Sequence, residues 1–371
     1  MAKSPSWIDA DQFAQGDLLQ ELELEPKSPA PRPSGATFGL HTRTVFSVDP
    51  GSGPVGLYGR GRASETNSRT TQVLRALNAS GLERPWVKPA PQWQESLAAL
   101  AEEMPNFASV VTAVIRPHAQ LSAMGIQHRM PPVLLLGPPG VGKTYFARRV
   151  AKILGLARPL HISLAAETNA SSLAGSSSYW SNAAPGQLFE ALAFATGTGI
   201  LAANQLVLID ELDKASRAGD HNPVGALYDL LEAETAKEFQ DQALLDVRID
   251  ASGVRWIATA NDPESIPSPL RSRMCTFEIE APSRAQQRTI ALQIFRRLLK
   301  DYKLPLADDL PDDVLDRAAV MSPREVRLAM DCAIARAVSR GSHRVMWTDW
   351  AAGEGAFKRP QRRRMGFCSM L

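Results

Sequence analysis

The sequence predicts an α/β domain, a mostly parallel five-stranded sheet with helices on both faces, followed by a small helical domain. Two observations predict it. Between residues 132 and 280, short β-rich runs alternate with loop and helix signals: "PVLLL" (132–136), "PLHIS" (159–163), "QLVLID" (205–210), "VRWIATA" (254–260) and then "RMCTFEIE". Such alternation implies parallel strands joined by covering helices. From Ser283 onward the spacing is helical only, in "SRAQQRTIALQIFRRLLKDY", "DDVLDRAAVM" and "SPREVRLAMDCAIARAVSR", which separates a second, all-helical unit from the first.

At 371 residues the chain has room for roughly two domains. Residues 1–90 are rich in Pro, Ser and Gly ("EPKSPAPRPSGATFG", "VDPGSGPVGLYGRGRASETNSRT") and lack sustained apolar periodicity, so a disordered tail is expected there. Within it "DLLQELELE" is long enough only for a marginal amphipathic turn or two. The α/β domain is expected over residues 91–281, led by the helical patterns "WQESLAALAEEM" and "FASVVTAVIRPHAQLSAM". The helical domain is expected over 282–345 and a basic tail over 346–371.

Lys and Arg total 41 against 39 Asp and Glu, a net charge of +2, too balanced for charge alone to imply nucleic acid. The basic stretch "FKRPQRRRMGFCSML", with Trp347, Trp350 and Phe357 just upstream, is compatible with a solvated tail or with contact to nucleic-acid phosphates or an acidic partner. Its last four residues depart from a prenylation box at Ser369, which is not aliphatic. The three cysteines, Cys275, Cys332 and Cys368, form no CxxC pair, and the six histidines lack metal-ligand spacing. A reducing cytoplasm and no structural zinc are expected. The amino terminus lacks a signal-peptide core, and the most apolar window, "FEALAFATGTGILAANQLVLID", is broken by Glu190, Asn204 and Gln205. No membrane span is therefore expected.

The chemistry is concentrated in two stretches. "GPPGVGKT" contributes Gly137, Pro138, Pro139, Gly140, Val141, Gly142, Lys143 and Thr144 between an expected strand and an expected helix. That context makes it a phosphate-binding loop. Its glycines let successive N–H groups face phosphate oxygens, and the helix N-terminus adds positive potential. Lys143 is expected to reach the β- and γ-phosphates, and the Thr144 hydroxyl to ligate Mg²⁺. The cofactors implied are ATP and Mg²⁺. "LVLIDELDK" then delivers Asp210 and Glu211 at the carboxyl end of an apolar strand, where open α/β sheets bind ligands. Asp210 is placed to hold Mg²⁺, and Glu211 to take the proton of an attacking water. The fold class becomes that of a P-loop NTPase, a three-layer sandwich.

The order of phosphate loop, "DELDK", "ATAND", "SPLRSRM" and a helical domain opening with "SPREV" resembles the AAA+ ATPases, and among them the ATPase module of Lon-type proteases. The likeness covers about residues 100–340. It implies that Asn261 senses the γ-phosphate, whereas its local context, before Asp-Pro, also suits an ordinary turn residue. It implies that Arg273, rather than Arg271, reaches the nucleotide of a neighbouring subunit as an arginine finger. Arg324 follows Ser322 and Pro323, an N-cap and first helical residue with Glu325 closing a capping box. The resemblance makes Arg324 a second sensor that couples nucleotide state to the helical lid.

Between the nucleotide motifs, "SLAGSSSYWSNAAPGQLFEAL" resembles the Lon-type stretch whose aromatic-apolar pair lines a ring's central pore, with Tyr179 and Trp180 in the matching positions and one extra residue before Pro185 and Gly186. About 30 residues follow the lid helices, fewer than the roughly 100 that a peptidase domain needs. The resemblance thus implies a cytoplasmic, homo-hexameric motor that remodels proteins, supplied by its substrate or an adaptor, without its own protease. Two other classes remain open: a DNA-associated AAA+ ATPase of the clamp-loader or transposition-regulator kind, marked by DNA-dependent turnover, and a monomeric P-loop kinase of a small metabolite.

Overall fold

The structure is a computed structural model that describes residues 42–48, 76–77, 79–165, 171–177, 183–215 and 224–357. Chain order begins with three short strands, β1 (Thr42–Thr44), β2 (Phe46–Val48) and β3 (Glu83–Pro85), then helix α1 (Trp93–Glu103). The next helical stretch changes character along its length: an α-turn at Ala108–Val110, a π-helical segment at Val111–Ile115, and α2 (Arg116–Ala123). Pro117 lacks an N–H and its ring crowds the carbonyl four residues back, which accounts for widening the turn at that point.

The α/β core follows: β4 (Val133–Leu136), α3 (Lys143–Ile153), β5 (Leu160–Ser163), α4 (Gln187–Phe194), β6 (Leu206–Asp210) and α5 (Gly225–Leu230). It continues through β7 (Phe239–Gln240), β8 (Val247–Ile249), β9 (Arg255–Ala260) and β10 (Cys275–Glu278). The main sheet runs β10-β4-β9-β6-β5. All four of its pairings are parallel. The sequence-predicted five-stranded parallel sheet is therefore present, and β9 lies between β4 and β6. The carboxyl ends of β4, β6 and β9, which precede Gly137, Glu211 and Asn261, are thus brought side by side.

Strand pleating sends alternate side chains to opposite faces. Val133 and Leu135 join Leu208, Ile257, Phe146 and Phe107 in one core cluster. Leu134 and Leu136 join Val207, Trp256, Ala258 and Phe189 in the other. Strand β4 is buried along its whole length, as expected for a strand covered on both faces.

Part of the stretch expected to be a tail is folded. β1 pairs with β3, and β2 adds to a second sheet ordered β2-β8-β7. Phe46 is fully buried with its ring 5.5 Å from that of Phe189, and Arg43 bonds Asp250 at 2.7 Å. Composition predicted disorder here because these strands have three residues each, and β2 finds its partner strand about 200 positions away. No local window registers such partners.

The lid comprises α6 (Arg284–Tyr302), α7 (Asp312–Ala318), α8 (Pro323–Ser339) and α9 (Trp347–Phe357). Its separate core includes Phe295, Val314, Met330 and Ile334, and extends to Val345 and Trp350. The segment expected to begin a basic tail is thus helical as far as Phe357. Trp350 is 3% exposed, and Asp349 accepts from Arg340 at 2.6 Å and from the Met346 N–H at 2.9 Å. An apolar anchor and a paired carboxylate hold α9 in place. Trp350 belongs to the lid core and offers no surface for stacking; the basic residues Lys358 to Arg364 lie outside the described residues. No helix among the described residues is long and apolar enough to cross a membrane.

Candidate nucleotide site

The loop from Gly137 to Gly142 leaves the end of β4 and feeds directly into α3, whose first residue is Lys143. Pro138, Pro139 and Gly140 are exposed at the loop's crest, whereas Val141 is buried beneath it. Gly140 and Gly142 have φ of 86° and 100°, the left-handed region that favours glycine. Gly137 is required for a different reason: a Cβ there would fall 2.2 Å from the Ile279 carbonyl oxygen, a backbone atom that cannot swing away.

Lys143 is 8% exposed and folds back over the loop. Its ammonium donates to Gly137 O at 2.6 Å, Pro138 O at 3.0 Å and Asn261 Oδ1 at 3.0 Å. Burial lowers its pKa, while Asp213 and Asp210 act in the opposite direction. Thr144 Oγ1 lies 3.1 and 3.0 Å from the two carboxylate oxygens of Asp210. The side chains of Lys143 and Thr144 therefore join the phosphate loop to the ends of β9 and β6, motifs 118 and 66 residues away.

Asp210 is more heavily partnered than the sequence suggests. Burial pushes its pKa up, but hydrogen bonds from His161, Thr259 and Thr144 outweigh that and hold it at about 2. It is an anion at any physiological pH, a hard oxygen donor facing a hydroxyl. His161 Nε2 stands 3.0 Å from Oδ2. Thr259 donates to Oδ1 and, through the same hydroxyl oxygen, accepts from the Glu211 N–H at 3.1 Å. Glu211 has φ of 59°, uncommon for a residue with a Cβ. That turn separates its side chain from the direction of β6.

The lid meets this site through its own helix start. Ser322 caps α8 in the predicted capping box, its N–H donating to Glu325 Oε2 at 2.9 Å. A Cβ on Gly140 would lie 3.5 Å from Ser322 Cβ. Arg324, exposed in the first turn of α8, is therefore carried close to the crest of the phosphate loop.

The two other arginines stand apart from this cluster. Arg271 Nη1 donates to Pro263 O at 3.2 Å. Arg273 Nη1 donates to Pro269 O at 2.7 Å, its Nε is 3.2 Å from Glu232 Oε2, and its guanidinium is 5.9 Å from the Tyr228 ring centre. Neither makes a contact with Gly137–Thr144 of its own chain among the described residues. Tyr179 and Trp180 lie outside the described residues. The stretch that follows them is anchored: Gly186 N–H donates to Asp241 Oδ2 at 2.7 Å, and Ser176 N–H to Ala184 O at 3.0 Å.

Sequence reasoning missed His161, Thr259 and Asp213. His161 and Thr259 lie one or two positions inside strands that periodicity marked as ordinary core. A polar residue in an apolar strand was the available signal. Asp213 has a wholly buried side chain with Lys214 Nζ at 3.3 Å, and neither oxygen has a hydrogen-bond donor among the described residues. It was visible only as part of "DELDK".

Residues 133–283 match the model of the AAA family, the ATPase family associated with various cellular activities. Curated relatives with similar sequence include the mitochondrial Lon protease homolog of Caenorhabditis elegans, 36% identical over 170 residues, which are 45% of this chain and 17% of that one. Lon protease 2 of Thermus thermophilus is 35% identical over 175 residues, 47% of this chain and 21% of its own. The mitochondrial Lon protease homolog of Rattus norvegicus is 41% identical over 138 residues, 37% of this chain and 14% of its own. The chain thus spans about a fifth or less of the length of these relatives. A solved RuvB mutant of Thermotoga maritima aligns with a TM-score of 0.47 at 16% identity, covering 68% of this chain and 70% of that one. The α/β module of this chain resembles the ATPase module of Lon proteases.

Proposed function

We propose that this AAA-type module binds and hydrolyses MgATP as one subunit of a homo-hexameric ring that remodels protein substrates in the cytoplasm. The observation that supports it is the convergence of Lys143, Thr144, Asp210 and Asn261, held within 3.0 to 3.1 Å of one another in pairs at the ends of three adjacent strands.

The residues present fit the cofactor. Lys143 is surrounded by three oxygen acceptors, and phosphate oxygens can take over that coordination. Thr144 and Asp210 offer hydroxyl and carboxylate oxygens, the donor set of a hard divalent cation. Bound Mg²⁺ would neutralise charge that develops on the transferred phosphoryl group. The chain's own groups divide the remaining work. The loop N–H groups and Lys143 orient the phosphates. Glu211, set off the strand axis by its left-handed backbone, takes the proton from water. Asn261 and Arg324 report the state of the γ-phosphate to β9 and to the lid. Arg273, which touches no phosphate-loop residue of its own chain, serves the neighbouring subunit's site.

Peptide-bond cleavage is not assigned to the residues present. Tyr179 and Trp180 are proposed to grip the polypeptide. The full chain carrying Glu211→Gln tests the reading: with MgATP it is expected to form a ring by light scattering and to retain an unfolded model protein. A ring that retains only duplex DNA would instead support the DNA-associated reading, and a monomer under every condition would overturn the ring.

A further inference from the structure

Two arginines among the described residues are almost wholly buried, and they are satisfied very differently. Arg84, 1% exposed, donates to the carbonyls of Leu192, Ala193, Gly81 and Glu83 and to Ser80 Oγ. Its charge is thereby spread over a cage of oxygens. Arg255, 2% exposed at the first position of β9, donates one hydrogen bond, from Nη2 to Ser122 Oγ at 2.7 Å. Its Nη1 has no hydrogen-bond partner among the described residues, and no carboxylate pairs with it. An isolated buried charge is costly, and the usual remedies are a counter-ion or several hydrogen bonds.

What surrounds Arg255 is also poor in negative charge. His118 and Ser122 are four residues apart, on one face of α2. The His118 ring stacks on that of His128 with centres 5.0 Å apart, and the Trp86 ring lies 6.0 Å from His128. His118 Nδ1, His128 Nε2 and Trp86 Nε1 are all buried without a hydrogen-bond partner. His128 uses its other nitrogen, 3.0 Å from the Ile126 carbonyl. That nitrogen must carry the proton, so protonation of His128 would make Nε2 a donor as well. Burial lowers the pKa of both histidines, and Arg255 lowers each further. Burial pulls Arg255 itself down to about 10, still charged at neutral pH.

We infer that Arg255, Ser122, His118, His128 and Trp86 form a second anion site, which takes a small inorganic oxyanion of the phosphate class. The guanidinium is a planar fork suited to two oxygens of one anion. The imidazoles gain protons when a negative charge arrives, and the indole N–H is a donor only. The charge on Arg255, buried beside the two imidazoles, opposes a cation here. His118 and His128 are half-buried, while Arg255 is 2% exposed. That depth suits a free ion better than a phosphate fixed in a polymer backbone. The site is distinct from the nucleotide site. It sits at the start of β9, and Asn261 follows the end of the same strand, about 20 Å away at the usual rise per residue.

The test uses the full chain saturated with a non-hydrolysable ATP analogue, which fills the phosphate loop. Inorganic phosphate is added against chloride at matched ionic strength, and thermal unfolding is followed with the imidazole NMR signals of His118 and His128. A saturable rise in Tm together with movement of both imidazole signals is expected. Arg255→Met should lose both responses and, freed of an uncompensated charge, unfold at a higher temperature than the parent in chloride. If that variant does not fold, the His118→Gln, His128→Gln double variant decides, with an expected phosphate affinity at least tenfold weaker. No phosphate-specific response in the parent, or an undiminished one in the variants, would overturn the site. An equal response to a short duplex DNA would overturn its assignment to a free ion.

Discussion

Gly140, at the crest of the phosphate loop, packs against Ser322, the N-cap of α8, so closely that a Cβ on the glycine would lie 3.5 Å from the serine Cβ. One contact thus links the loop proposed to meet phosphate to the helix that carries Arg324. Ser322→Ala removes the side-chain acceptor of the Glu325 N–H and should cost about 1 kcal/mol of stability. It should also weaken the protection that an ATP analogue gives the amides of residues 323–339 in hydrogen exchange. Protection equal to that of the parent would show that the contact does not couple lid and loop.

Thr259 ties the two acidic residues together, donating to Asp210 and accepting from the Glu211 N–H. Thr259→Val keeps the shape but leaves that part-buried N–H without its acceptor, at about 1 kcal/mol. The expected result is near-normal nucleotide affinity with a lower turnover rate. Glu211→Gln should retain binding and lose on the order of 10²- to 10⁴-fold in rate. Normal turnover in Glu211→Gln would remove the general-base assignment.

Arg273 faces Glu232 and Tyr228 and no phosphate-loop residue of its own chain. Arg273→Ala should bind nucleotide normally and hydrolyse it slowly. Mixed with Lys143→Ala, which keeps its arginine but loses its lysine, it should recover part of the activity, because shared sites then pair an intact loop with an intact arginine. Strictly additive rates in the mixture would exclude a role across subunits.

Asp241 supplies a pH dependence unrelated to the nucleotide. Burial raises its pKa from 3.8 to about 6, although the N–H groups of Gly186 and Ala243 pull the other way. Between those values the folded protein holds a proton that the unfolded chain releases, so the contribution of Asp241 to stability is greatest below about pH 4 and is lost as pH rises through 6. The shift corresponds to roughly 3 kcal/mol. In Asp241→Asn that slope should disappear from urea unfolding curves measured between pH 4 and 7. A slope unchanged in the variant would assign the dependence to another group.

Much of the site was legible because its signals are local. The glycines of "GPPGVGKT" mark backbone that only they adopt freely, the capping box at Ser322 and Glu325 fits within four residues, and an apolar run ending in two acids marks a strand end. His161 and Thr259 were not legible in that way, since each acts on Asp210 from a neighbouring strand, 49 residues away in sequence.

Periodicity, glycine conformations and helix caps are properties of short windows of chain, so the α/β module, the glycine-rich loop, the acidic strand end and the separate helical unit were legible locally. Tertiary structure decided which of these meet. Placing β9 between β4 and β6 brings Asn261 to Lys143 and Thr259 to Asp210, and it buries Arg255 at the opposite end of the same strand. It also recruits Phe46 into the core and Trp350 into the lid. Those outcomes depend on contacts between residues far apart in the chain, whose energy comes from burial and pairing that no local pattern contains.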